Sequence, residues 1–357
     1  MVRGVGRRGG EAPADDGGPA RTGCRRAERP LSLDLRSAGD RGAVMKALRN
    51  EEGTVLLLVL VVVALLTSLL TEFAFSTLVD LRLTETFRDS TKAYYLAKGG
   101  VRAGRIILQN DRNGYDARND PEELWSQGMG TFPVGGGSVS VTIEDLGGRL
   151  DLNRLVLSDG INPNPAAIDR LLRLFEILEI EEGEDLTAAL IDWIDEDEEI
   201  YDLRGYGAED EHYLRLDPPY PTKNGSLSTL GELARVRGFT PEVIGLVTPH
   251  ITVYGGEKIN VNTASAQVLM SLSEDPLIDE AAAEAIIELR ESKPFRSSQD
   301  LKGLNSLPGL ENLLRDPFTV KSDTYRITTE AWVNDGSREV DAIVTKDGDK
   351  LLFVKVN

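Results

Sequence analysis

The sequence predicts an α+β fold in which one antiparallel sheet is interrupted by a helical domain and covered on one face by a long N-terminal helix. Three observations predict it. An uncharged run of seventeen residues, from Thr54 to Leu70, passes without a break into a segment with apolar residues every three or four positions. Strict alternation, the mark of a half-buried strand, occurs at Ser138-Val139-Ser140-Val141-Thr142-Ile143 and returns only after residue 317. The stretch between those strands is spaced as helices, so the sheet is split around an α-domain.

The apolar run comes first. At about 1.5 Å of rise per residue it approaches the ~30 Å hydrocarbon core of a bilayer. A secretory signal would have a shorter apolar region and a small-residue cleavage site, whereas here the pattern continues as helix to about Gln109. We assign 54–72 to a transmembrane helix and 73–109 to its continuation outside the membrane, where Phe87, Ala93, Tyr94, Ala97, Val101, Gly104 and Leu108 recur at helical spacing. Lys46 and Arg49 precede Gly53, and this basic leader meeting a hydrophobic helix at Gly resembles the type IV prepilin junction. There the peptidase cuts after the Gly, which makes Thr54 the expected mature N-terminus.

Charge is distributed to match. The 357-residue chain carries −19, yet residues 1–53 hold 11 Lys and Arg against 8 Asp and Glu, leaving −22 for the remainder. A basic lead and an acidic bulk place the large C-terminal part outside the cytoplasm by the positive-inside rule. The single cysteine, Cys24, lies in the leader, so the processed chain has no disulfide framework. Residues 1–44 are rich in Gly, Arg, Pro and Asp without periodicity, the composition of a segment that forms no core, and Met45 is a natural alternative start.

Beyond the helix, Asn110, Asp111, Asn113, Gly114, Asp116, Asn119 and Asp120 carry turn chemistry, and residues 110–152 are read as a loop and first strands. Residues 153–316 form the predicted helical insert, with Ile168, Leu171, Leu172, Leu174, Phe175 and Leu178 on one helical face. Residues 317–357 are a predicted three-stranded meander, turned at Asn334-Asp335-Gly336 and Asp347-Gly348-Asp349. Trp193, Phe175, Phe239 and Phe295 are read as core; Trp125 and Trp332 have no side assigned.

Taken together, the stretch from about Met45 to Asn357 resembles the type II secretion minor pseudopilin K family. The resemblance is carried by the Gly53 junction, Lys92-Ala93-Tyr94-Tyr95-Leu96-Ala97, Asp145-Leu146-Gly147-Gly148-Arg149-Leu150-Asp151-Leu152-Asn153 and Ala189-Leu190-Ile191-Asp192-Trp193-Ile194-Asp195. Gly207-Ala208-Glu209-Asp210, Tyr213 to Tyr220 and Lys258-Ile259-Asn260-Val261-Asn262-Thr263-Ala264-Ser265 extend it. It implies a pilin-like fold, cleavage after Gly53 by a prepilin peptidase, N-methylation of Thr54, an inner-membrane anchor with a periplasmic domain, and the I and J minor pseudopilins as partners. Most pilins carry Glu at the fifth mature position; here that position is Leu58, an apolar residue that the resemblance connects with the tip of the filament. A carboxylate buried in lipid without its partner is costly, so a subunit that adds beneath no other has no use for one. The implied work is to initiate and cap the pseudopilus during protein export.

Two clusters invite other chemistry. Asp192, Asp195, Glu196, Asp197, Glu198 and Glu199, followed by Glu209, Asp210 and Glu211, surround a loop with Gly205 and Gly207. Calcium takes six to eight oxygens from such groups, and Asp195, Asp197, Glu209 and Asp210 are the candidate ligands, with calcium also implied by the family. A solvated acidic surface is the other reading, since no EF-hand spacing is present. Residues 258–303 look like a helix-hairpin-helix module, so a membrane-anchored DNA receptor for DNA uptake is the alternative function. Against it, the turn Glu274-Asp275-Pro276-Leu277-Ile278-Asp279 lacks glycine and carries three carboxylates, and a −22 chain presents the wrong field to phosphates, so no nucleic acid is expected. No enzyme is expected either: the chain has two histidines, His212 and His250, and no Gly-x-Ser-x-Gly elbow.

Overall fold

The computed structural model describes residues 51–202, 206–273, 277–308, 310–311 and 317–357. The leader through residue 50, Gly205, the hairpin turn at 274–276 and the predicted end of the insert at 316 lie outside them. The chain divides into two compact units, Met1–Phe75 and Ser76–Asn357. Helix α1 (Glu51–Asn110) opens the described chain, and every residue from Gly53 to Phe75 is exposed. A solvent-exposed face of Val and Leu all round is the surface of a helix matched to hydrocarbon.

In the second unit a five-stranded antiparallel sheet has the order β1-β2-β7-β8-β9. It is built from β1 (Met129–Val134), β2 (Gly137–Asp145), β7 (Thr324–Val333), β8 (Gly336–Thr345) and β9 (Leu351–Val356). Strand β2 pairs with β7 from Ser138↔Trp332 to Asp145↔Tyr325, so everything between residues 146 and 323 is inserted into one strand pairing. The meander at the C-terminus is present as expected, and the first strands expected within 110–152 are a β1–β2 hairpin, of which only β2 alternates cleanly. Strand β1 reads Met-Gly-Thr-Phe-Pro-Val, with a register shift between Met129 and Phe132, so its alternation is broken.

Ala93, Ala97, Val101 and Leu108 of α1 are buried against Val139, Val141, Ile143, Tyr325, Ile327 and Val340. Phe87 lies outside this stripe and is exposed. Gly100 and Gly104 sit at the closest approach: a Cβ on Gly100 would overlap Thr329 Cγ2, and one on Gly104 would come within 2.9 Å of Ile327 Cγ2. Small residues on the helix let the strands' β-branched side chains fill the gap. Substituting Gly104→Val is therefore expected to lower stability by about 1–3 kcal/mol through overpacking. Gly99→Ala, where nothing lies within 4 Å, is expected to add up to about 1 kcal/mol of helix propensity. Urea midpoints of the two variants, shifted in opposite directions, check the packing.

The insert has its own core, with Leu171, Leu174, Phe175, Leu186, Leu190, Trp193, Tyr213 and Leu233 all buried. Its helices are α2 (Pro165–Ile177), α3 (Gly183–Ile194), α4 (Asp210–Tyr213), α5 (Pro241–Val247), α6 (Ala266–Ser271) and α7 (Glu280–Ser292). Two short parallel pairs, β3 (Leu150–Asp151) with β4 (Ile251–Thr252) and β5 (Ile259–Asn260) with β6 (Phe318–Thr319), tie distant parts of the insert together. Within the hairpin-like part Ser265 caps α6 through Val268 N–H at 3.3 Å, while Thr263 instead donates to Asp145. Asn262 and Phe295 exchange two hydrogen bonds of 2.9 Å, which ties this part together as a packing scaffold.

Candidate metal centre

Helix α3 carries an apolar face from Leu186 to Ile194 into the insert's core, and this burial draws the acids at its end inward. Asp192, on the last turn, is fully buried and accepts from Tyr201 N–H at 2.7 Å. Asp195, the next acid, caps the helix in extended conformation and is also buried. The loop then returns Glu209, buried at the start of α4. Gly207 makes that return workable, because a Cβ there would overlap Asp192 Oδ2.

Carboxylate oxygens of Asp195, Asp197 and Glu209 lie within 4.8 Å of one another. Four buried oxygens here, Asp192 Oδ2, Asp195 Oδ1 and both oxygens of Glu209, have no well-aligned donor, only the backbone N–H groups of Ala208 and Asp210 acting weakly on Asp192 and Glu209, and among the described residues no Lys or Arg pairs with any of these acids. Burial, together with the neighbouring carboxylates, pushes Asp195 up to about 7 and Glu209 up to about 8. Burial likewise raises Asp192 to about 6, against the opposing bond from Tyr201. Unpaired buried carboxylates are costly, and a hard divalent cation is the group that oxygen donors of this kind satisfy.

Three of the four sequence candidates, Asp195, Asp197 and Glu209, are thus brought together. The fourth, Asp210, is turned away: its Oδ1 accepts from the Thr222 N–H at 2.7 Å and from the Thr222 hydroxyl, inside the first turn of α4. Asp192 takes its place beside the cluster. Its burial at i−3 from Asp195 on an apolar helix was the available signal, since a buried acid needs a partner.

A second acidic group has no counterpart in the sequence reading. Asp111, Asp116 and Glu123 converge after α1, and Lys346 enters from the β8–β9 turn, its Nζ 3.1 Å from Asp111 and paired with Asp116. Ser322 N–H at 2.8 Å and the Tyr325 hydroxyl also donate to Asp116. The ammonium satisfies Asp116, whereas Glu123 is fully buried and holds only Asn113 through one oxygen. Burial first, then the Asp111 charge, raises Glu123 to about 7. With a folded pKa above the unfolded value of about 4.3, this group favours the fold while protonated. That contribution is complete below about pH 4 and is lost as pH rises through 7. Glu123→Gln keeps the Asn113 acceptor, and thermal unfolding from pH 5 to 8 is expected to show a flatter stability profile in that variant.

Two family models, both for protein K of the type II secretion system, match residues 148–256 and 259–321. Type II secretion system protein K of Pseudomonas aeruginosa is 30% identical over 260 residues, covering 71% of this chain and 76% of the relative. The chain belongs to the type II secretion system protein K family. A minor pseudopilin role in type II secretion goes with that membership. Protein K of Aeromonas hydrophila is 26% identical over 336 residues, covering 87% of this chain and 97% of its own. Among solved structures, the GspK-GspI-GspJ complex from the enterotoxigenic Escherichia coli type 2 secretion system contains a chain that matches with a TM-score of 0.60 at 19% identity. That match covers 78% of this chain and 99% of the other. The protein K fold is accordingly pilin-like, a long N-terminal helix whose later part packs on an antiparallel sheet with a helical domain inserted between strands.

Proposed function

We propose that this chain is the tip subunit of the type II secretion pseudopilus, anchored in the inner membrane by one helix with its remaining domain in the periplasm. The prepilin peptidase removes the leader after Gly53, and Thr54 becomes the N-methylated first residue. The chain then joins the I and J minor pseudopilins, as the match to a complex of such proteins supports, and the three begin the filament. Helices associate in lipid by close packing, and the exposed Val and Leu of α1 supply that surface.

The observation that carries this reading is the insertion of residues 146–323 into a single strand pairing of a pilin-like sheet. A domain of that bulk above the sheet leaves no place for a further subunit on top, so growth proceeds from below. Leu58, at the fifth mature position, agrees: it offers no carboxylate for a neighbour's N-terminal ammonium. Calcium belongs to the same proposal, held by Asp195, Asp197 and Glu209 with Asp192 adjacent, where it would fix the α3–α4 loop.

N-terminal sequencing of the membrane-bound product is expected to start at Thr54. Deleting residues 160–315 is expected to leave the protein in the membrane while pseudopili lengthen and export falls. Unchanged filament length and export in that deletion would remove the capping role. Leu58→Glu, which keeps the insert, is expected to leave immunogold labelling at the filament end; labelling along the shaft would count against the tip reading.

A further inference from the structure

We propose that the cleft between the end of β2 and the helical insert binds a small oxyanion of the phosphate or carboxylate class. A cavity of about 270 Å³ there is lined by Arg118, Arg149, Arg290 and His250, together with Glu144 and Asp145. Three guanidinium groups in one cavity run against the composition of a chain carrying −19.

The two lining acids are already engaged. Glu144 pairs with Arg149 through one oxygen and lies 3.7 Å from Arg326 through the other. Asp145 is buried and accepts from Gly147 N–H at 2.7 Å, from Asn260 at 3.1 Å and from the Thr263 hydroxyl. Neither is left for the other two arginines.

Arg290 is held by backbone, donating through one terminal nitrogen to Val261 O at 2.6 Å and Ala264 O at 2.7 Å. Among the described residues it forms no ion pair, and burial together with the Arg118 charge lowers its pKa to about 10. Arg118 is exposed at the cavity and makes no hydrogen bond or ion pair among the described residues. Arg118 and Arg290 thus line one space, neither in an ion pair among the described residues. An oxyanion relieves the repulsion and accepts from planar guanidinium groups in the geometry they favour.

Size and field restrict the ligand. The volume suits one phosphate or carboxylate group with its water, and the acidic surroundings repel an extended polyanion. Because Arg118 follows α1, Arg149 opens the insert and Arg290 ends α7, a bound anion joins three separate chain segments at the seam between sheet and insert.

Isothermal titration of the full-length protein in detergent, at fixed ionic strength, tests this with inorganic phosphate and, separately, succinate. The expected result is one saturable site for at least one probe, weakened at least tenfold by Arg118→Gln and by Arg290→Gln. Arg118 has no bonds to lose, so its variant should unfold at the wild-type urea midpoint. Binding of phosphate alone assigns a phosphoryl ligand, and binding of succinate alone assigns a carboxylate, as on an acidic peptide. No saturable heat with either probe, or equal affinity in a folded Arg118→Gln protein, would overturn the proposal.

Discussion

Calcium is expected to raise the thermal unfolding midpoint of the full-length protein in detergent, and chelator to reverse the gain. At free calcium a hundredfold above the dissociation constant, a ligand bound only to the folded state adds about 2.7 kcal/mol. For a domain of this size that is on the order of 5–10 °C. Four buried carboxylate oxygens lack a well-aligned donor. In the metal-free protein their repulsion is relieved by protons: Asp195 near 7 and Glu209 near 8 stand well above the unfolded values of about 4. Groups shifted upward stabilise the fold below their unfolded pKa and lose that contribution as pH rises through the folded one. Metal-free protein is therefore expected to weaken between about pH 5 and 8, while the calcium increment grows over the same interval because the ion displaces those protons. Glu209→Gln distinguishes a site from a surface. It should leave the metal-free protein as stable or more so, since a buried charge is gone, and abolish the response to calcium. Wild-type unfolding that ignores both calcium and chelator would eliminate the ion.

Trp193→Ala is the second large effect. The ring is buried one residue after Asp192 and packs edge-on against Tyr213 at 5.2 Å and Tyr220 at 6.3 Å. Tyr213 in turn accepts from Arg237 N–H at 3.1 Å, so the aromatic group joins α3, α4 and the segment before α5. Truncating a buried Trp costs about 3–5 kcal/mol, a large share of the 5–15 kcal/mol that holds a domain together. The loss falls on the elements that present Asp192, Asp195 and Glu209, so calcium affinity should fall with stability. Trp332→Ala, on the half-exposed face of β7, is the control and should move the urea midpoint little. A Trp193→Ala protein with unchanged midpoint and calcium response would mean that the aromatic cluster does not brace the acidic loop.

Much of the fold was legible because period and composition are local properties. The apolar run, the stripe from Ala93 to Leu108 and the alternation of β7, β8 and β9 each record how one element meets its surroundings. The bounds of β1 are not legible in the sequence because a register shift and Pro133 erase its alternation. Among the site residues, Asp195, Asp197 and Glu209 were visible as an acidic loop around glycines. Asp210 was not separable from them by sequence, since its capture by Thr222 depends on where the chain returns twelve residues later.

By itself the sequence determined the long apolar run, the apolar Leu58 and the order of strand, insert and strand, since each is written in consecutive residues. Only the tertiary structure decided which acids face one another, which of them burial pushes toward the protonated form, and that Lys346 pairs with one acidic group while among the described residues no Lys or Arg pairs with the other. Charge pairing and desolvation depend on distance through space, and residues such as Asp116 and Lys346, or Arg118 and Arg290, become neighbours only when the core brings their segments together.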